Sequence, residues 1–277
     1  PDPYGLTVSS GSATSVTLTW TSGGATNWNI AFGQTGAVTY LPFASANTNP
    51  FTITGLTPGT SYEFYVRDSC GLGDVSDWVG PVTFNTPCAT ITAPYLEDFD
   101  LNFDEGNGFS NSGSTIDICW NRNPSTGTGT PWFNQPYHWG GGTGTTPSGN
   151  TGPSSDHTSG SGSYAYIEAS GNNGNSADLF TPIIDLDTLS NPELVFWKHQ
   201  YGNQMGTFSV AISINGGSYS PIHTSSGDQG NSWLQVKVPL TTTLLGDSIQ
   251  LRFRGEKPTG GGAGRGDIAI DDVTIDN

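Results

Sequence analysis

Six carboxylates stand out for the chemistry they permit: Asp98, Asp100, Asp156, Glu168, Asp271 and Asp272. They are hard oxygen donors in separate segments, set among Gly-, Asn- and Ser-rich loops whose backbone carbonyls are easily presented. Calcium takes six to eight oxygens of this kind. Asp271 and Asp272 lie in the stretch GDIAIDDVTI, 266–275, whose small and β-branched residues predict a strand buried on both faces. Alternation puts Ile268, Ile270, Asp272 and Thr274 on one side and Ala269, Asp271, Val273 and Ile275 on the other. Either face then carries a carboxylate into or beside the core, where it needs a partner. A structural calcium where this closing strand seals a β-sandwich is the expectation. Capping of turns and pairing with Arg252 or Arg254 is the competing one.

Catalytic chemistry finds less support. Glu97, Asp98, Asp104 and Glu105 offer paired carboxylates of the glycosidase type, and Asp156-His157 offers a base with its orienter. Yet no Gly-x-Ser-x-Gly, His-Glu-x-x-His or phosphate-loop pattern occurs, and His138, His157, His199 and His223 are scattered. A non-catalytic chain is expected. Arg265-Gly266-Asp267 spells a tripeptide read by integrins, but it also falls within the closing strand's entry, which explains it without an adhesion role.

Six of the seven basic residues beyond position 87 lie between 198 and 265. Alternation places Arg252 and Arg254 opposite Ile249, Leu251 and Phe253, and Lys237 opposite Val236 and Val238, with Lys198 joining them. A basic face in an acidic protein suits an anionic ligand. Trp132, Tyr137 and Trp139 in the loop before it are rings of the kind that stack on sugars. These features point to a sulfated or uronic polysaccharide. Protein–protein adhesion or self-association is the alternative, and an ordinary solvated face is the plainest account.

The elements that must hold these residues are strands. The chain has 277 residues, Gly 39, Pro 18 and 12% charged residues, which fits short strands joined by turns in about two domains. Its net charge of −16 opposes binding to a phosphate backbone, so nucleic acid is not expected as a partner. No apolar window is long enough to insert into a membrane. The acidic, Lys-poor, Asn/Ser/Thr/Gly-rich composition suits a secreted or cell-surface protein, and a first residue other than Met fits a piece of a longer one. Three cysteines, Cys70, Cys88 and Cys119, allow one bridge and one orphan.

In residues 1–87, Ser15–Trp20, Asn27–Phe32 and Tyr62–Val66 alternate, with Gly and Pro clusters between them. Trp20 and Trp28 are placed to fill a sandwich, and the Tyr62 hydroxyl is placed to tie back to the backbone upstream, as in a tyrosine corner. Trp20, LTPGT at 56–60, Tyr62 and GPVTF at 80–84 resemble a fibronectin type III domain, usually a spacer or adhesion module. Trp78 in the adjoining loop is expected to pack beneath it.

In residues 88–277, strands are expected at Tyr164–Ala169, Ala177–Phe180, Glu193–Tyr201, Thr207–Ile214, Trp233–Val238 and Ser248–Arg254, with the closing strand after them. Phe99-Asp100, Cys119-Trp120, GPSSDHT at 152–158, YAYIEAS at 164–170, LVFWKH at 194–199 and GDIAIDD at 266–272 resemble, in order, a MAM domain (meprin/A5/mu). That resemblance implies an all-β, jelly-roll sandwich of extracellular type, cation binding, and a Cys88–Cys119 pair across the domain junction. The family's second cysteine pair is missing. With the absence of any Asn-x-Ser/Thr sequon and the Gly/Thr/Asn-rich composition, this points to a bacterial source.

Overall fold

The computed structural model describes residues 1–37, 44–71, 73–104, 114–124, 137–170, 176–257 and 264–277. Every regular element among them is a strand, and the chain divides into two compact units, Pro1–Ala89 and Thr90–Asn277. No helix among the described residues is long and apolar enough to cross a membrane.

The first unit contains β1 (Tyr4–Ser12), β2 (Ser15–Thr21), β3 (Trp28–Gln34), β4 (Ala44–Ala46), β5 (Phe51–Thr54), β6 (Ser61–Gly71), β7 (Asp74–Val75) and β8 (Val79–Asn85). One sheet runs β1-β2-β5; the other runs β4-β3-β6, with β7 and β8 also paired to β6. Period-two burial along β2 and β6 turns Val16, Leu18 and Trp20 toward Tyr62, Phe64 and Val66. Trp20 and Trp28 meet edge to face at 5.3 Å between ring centroids. The Tyr62 hydroxyl accepts a bond from the Thr57 amide at 2.9 Å, closing the corner. Trp78 stacks under the Arg67 guanidinium at 4.5 Å.

The second unit contains β9 (Ile91–Thr92), β10 (Tyr95–Glu97), β11 (Asn121–Asn123), β12 (Trp139–Thr143), β13 (Ser163–Ile167), β14 (Ser176–Phe180), β15 (Ile184–Asp185), β16 (Glu193–Gln200), β17 (Thr207–Ile214), β18 (Ser220–Ser226), β19 (Leu234–Pro239), β20 (Ser248–Glu256) and β21 (Ile268–Asp276). One sheet runs β12-β13-β21-β16-β19, with β10 also on β21. The other runs β11-β14-β20-β15-β9, with β17 and then β18 added through β20. Phe196, Phe208, Phe253 and Trp139 fill the space between them; Phe196 and Phe253 meet at 5.4 Å and 81°. Glycine makes β12 possible, because a Cβ on Gly141 would lie 2.3 Å from the Phe103 carbonyl oxygen. Cys88 and Cys119 are disulfide-bonded and Cys70 is an exposed free thiol.

The closing strand does not alternate strictly. β16 and β21 pair Val195 with Thr274 and Trp197 with Asp271, so two residues of β21 oppose Phe196 alone. The surplus residue is Asp272, at φ 48°. This bulge reverses the parity of the strand: Ile268 and Ile270 before it and Val273 and Ile275 after it all face the core. The two aspartates therefore leave the sandwich together, contrary to the simple alternation expected above.

Candidate functional site

Strand β21 offers Asp271 and Asp272 to the loop 156–163. The Asp271 carboxylate accepts the His157 amide at 2.8 Å and the Asp272 amide at 2.8 Å. Asp272 accepts from His157 Nδ1 at 2.6 Å and from the Thr158 hydroxyl at 2.5 Å. The His157 ring lies flat on Trp197, 3.7 Å away at 17°. Burial, with the charges of Asp272 and Asp156 nearby, pushes the Asp271 carboxyl up to about 8 against the bonds it accepts. Burial also raises Asp156, but the amide and hydroxyl of Ser159 and the amide of Gly162 outweigh it and hold that group below its ordinary value. Asp100 accepts the Ser163 amide at 2.7 Å, and Asp98 accepts the Asp100 amide at 3.2 Å. Four of the six expected calcium ligands, Asp100, Asp156, Asp271 and Asp272, are thus occupied in fastening one loop, while Asp98 holds the amide of Asp100 in its own segment. Among the described residues no group of three or more His, Cys, Asp or Glu side chains gathers around a metal position.

The sixth, Glu168, sits elsewhere, beside Asp267. Both are buried, at 1% and 0% exposure. Glu168 Oε1 accepts the Ser170 amide at 2.7 Å and the Ser148 hydroxyl at 3.2 Å. Asp267 Oδ1 accepts the Ala169 amide at 2.9 Å, whereas its Oδ2 is buried without a hydrogen-bond partner. The neighbouring Thr146 hydroxyl donates instead to the Thr151 carbonyl at 3.0 Å. Burial and the adjacent Glu168 charge drive Asp267 well above the usual carboxylate range, and burial raises Glu168 as well. Adjacent buried carboxylates disfavour each other's ionised form, and a cation between them would relieve that repulsion. A cleft of ≈ 310 Å³ lined by Thr145–Ser154, Tyr201 and Asn231 reaches Ser148 and Thr151, the latter accepting the Asp267 amide at 2.9 Å. Burial, an orphaned oxygen and neighbouring hydroxyls fit a hard cation held by Glu168 and Asp267. Asp267 was read beforehand as part of the closing strand and of the tripeptide 265–267 but not as a ligand, and its burial removes the integrin reading.

The expected ligand face needs correction. Trp139 and Tyr137 are core residues at 0% and 1% exposure and present no ring to a sugar; the Trp139 indole donates to the Ala177 carbonyl at 3.1 Å. Trp132 and Glu105 lie outside the described residues. Lys198 shares the inward face of β16 with Leu194 and Phe196, and its amine donates to Ser225 at 2.6 Å and Gln200 at 3.2 Å. Burial lowers its pKa. Lys237 is exposed, but on β19 of the other sheet.

Arg252 and Arg254 remain, on the outer face of β20. Arg254 is fully engaged: Nη1 lies 3.2 Å from each Asp178 oxygen, Nε donates to Glu256 at 2.8 Å and Nη2 to Ser176 at 2.8 Å. Arg252 approaches Asp178 only at 3.8 Å, and its Nε is buried without a hydrogen-bond partner. Its guanidinium lies 5.0 Å over the Tyr219 ring. Tyr219 is fixed in turn by its hydroxyl bond to Gln250 at 2.7 Å and by Phe180 at 5.7 Å. Tyr219 and Phe180 were not among the expected site residues, because their role depends on the cross-strand neighbour Arg252.

Comparison with known proteins agrees with this architecture. The MAM domain model (meprin/A5/mu) matches residues 103–277 and the fibronectin type III model matches residues 1–84. Neuropilin-1 of Xenopus laevis is 34% identical over 130 residues, 46% of this chain and 13% of that protein. MAM domain-containing glycosylphosphatidylinositol anchor protein 1 of Gallus gallus is 33% identical over 132 residues, with the same two shares. The K1 adhesin domain of Lys-gingipain from Porphyromonas gingivalis covers 66% of this chain and is itself covered to 98%, at 20% identity and TM-score 0.41. The chain therefore spans a small part of the curated relatives' length. Those relatives are animal proteins and do not support the bacterial source expected from composition. The two modules are non-catalytic and of secreted or cell-surface type. With its second sandwich matched over most of its length, the chain belongs to the MAM domain family, carrying a fibronectin type III domain ahead of that module.

Proposed function

We propose that the second unit is an extracellular protein-interaction module whose fold is held by one structural calcium. The observation that carries the interaction reading is the outer face of β14 and β20. There Phe180, Tyr219 and Arg252 form a locked aromatic–guanidinium surface of the composition that protein interfaces favour. A polysaccharide polyanion would need a track of available cations, and Arg254 and Lys198 are already engaged inside the fold. Glu168 and Asp267 would hold the calcium, which would supply the positive charge that lets both carboxylates ionise. A screen of the chain against an array of extracellular ectodomains and a series of sulfated and uronic polysaccharides tests the proposal. Saturable binding to ectodomains with a blank polysaccharide series is expected. Retention by the polysaccharides with blank ectodomains overturns it.

A further inference from the structure

We infer that the first unit holds a calcium ion of its own, bound by the Asp68 carboxylate and the backbone carbonyls of Pro1 and Asp2 at one end of its sandwich. This site is separate from the Glu168–Asp267 pair and stands apart from the interaction reading of the second unit.

Strand β6 buries every second residue from Tyr62 to Asp68, so the parity that sends Tyr62, Phe64 and Val66 into the core sends a carboxylate in after them. Asp68 is 3% exposed. Its Oδ2 accepts one long bond, from the Ala25 amide at 3.4 Å, and its Oδ1 is buried without a hydrogen-bond partner. No ion pair among the described residues includes it. Arg67 is the only Lys, Arg or His in residues 1–89. Alternation sets it on the opposite face of β6 from Asp68, and its Nε donates to Asn29 at 3.1 Å. The indole N–H groups of Trp20 and Trp28 in the same core make no hydrogen bond, so neither reaches the carboxylate.

More oxygen approaches the carboxylate instead. A Cβ on Gly23 would collide with the Pro1 carbonyl oxygen and lie 2.7 Å from both the Asp2 carbonyl oxygen and Asp68 Oδ2. Three oxygens therefore converge over one glycine, and local bonds keep them there. The Ser22 hydroxyl donates to the Ala25 carbonyl at 2.7 Å, the Ser76 hydroxyl accepts the Asp68 amide at 2.9 Å, and Asp2 Oδ1 accepts the Asp77 amide at 3.2 Å. A buried carboxylate facing carbonyl oxygens, with no cation beside it, costs several kcal/mol. A hard cation turns each of those repulsive approaches into an attractive one, and carboxylate with backbone carbonyl is the donor set that calcium takes. A single charged ligand puts the affinity among weak extracellular modules, with a Kd of about 10⁻⁴–10⁻³ M.

Equilibrium dialysis of the intact chain against radioactive calcium, titrated through that range, counts the ions bound per chain. Asp68→Asn keeps an oxygen for the Ala25 amide but removes the charge, and should weaken one ion at least about tenfold. Gly23→Ala leaves the carboxylate intact and displaces the Pro1 and Asp2 carbonyls, and should weaken the same ion. Asp267→Asn should leave that ion bound, so the two sites are read apart. A tryptophan-fluorescence melt in chelator shows that each variant folds; Asp68→Asn should melt no lower than the parent, and should it fail to fold, Gly23→Ala decides. Undiminished binding in both first-unit variants would overturn the site, leaving a neutral buried water as the partner of Asp68. Loss of binding in Asp267→Asn alone would overturn it while upholding the second unit's calcium, and a parent that binds no calcium would overturn both.

Discussion

Replacing Asp267 by Asn separates the two demands on the buried acidic pair. The amide keeps an oxygen for the Ala169 N–H and removes one of the two adjacent negative charges. With two carboxylates as its charged ligands, the site falls among weak extracellular calcium modules, with a Kd of about 10⁻⁴ M. At about 2 mM calcium, binding then stabilises the folded chain by RT ln 21, about 1.8 kcal/mol. For a unit of this size that raises the melting temperature by roughly 4–7 °C. Differential scanning calorimetry of parent and variant, each in calcium and in chelator, reads this directly. The parent should show the rise and Asp267→Asn should lose it, while the variant's chelator-bound midpoint should not fall below the parent's. An equal calcium response in both chains would refute the argument, as would a parent indifferent to calcium.

Three further perturbations follow from the geometry. Trp139→Ala should cost about 3–5 kcal/mol in urea unfolding, because it empties a fully buried site and strands the Ala177 carbonyl. The Asp271 carboxyl, surrounded by Asp272, Asp156 and His157, titrates near 8 when folded and near 4 when unfolded. Its contribution is therefore fully present below about pH 4 and is lost as pH rises toward 8, so Asp271→Asn should flatten the fall in urea midpoint across that window. Asp272→Val should cost about 2 kcal/mol, because a β-branched residue resists the left-handed conformation and the bonds to His157 and Thr158 are lost. Asp272→Asn, which tolerates that conformation and keeps an acceptor, should cost less than about 1 kcal/mol in the same assay.

Much of the sandwich was legible because β2, β6 and β20 bury every second residue, as β16 and β17 do over their first halves, and period-two apolarity is visible in the bare sequence. β12, with its triple glycine, was not legible as a strand, since it is defined by how closely Phe103 approaches. β18, SPIHTSS, carries little apolar signal because it lies at a sheet edge. Tyr137 and Trp139 looked exposed because Gly, Ser and Thr surround them, but loop composition does not report burial. Lys198 was misplaced for a different reason: its charge outweighed its parity with Leu194 and Phe196, whereas in the fold its stem packs inward and the amine reaches Ser225. The carboxylate pair stayed hidden because Glu168 and Asp267 lie 99 positions apart, and only the pairing of β13 with β21 brings them together.

The bulge at Asp272 has one more consequence. Without that residue, Val195 opposite Thr274 and Trp197 opposite Asp271 would fall into unbroken antiparallel register, and Ile268, Ile270, Val273 and Ile275 would occupy successive inward positions of a regular strand. Neither the ladder nor the apolar interior requires the insertion. What it adds is a carboxylate that reaches across to His157 and Thr158, so this irregularity serves the covering loop, and a chain shortened by that one residue should keep its sandwich while its loop loses that anchor and rests on the remaining bonds to Asp271, Asp156 and Asp100.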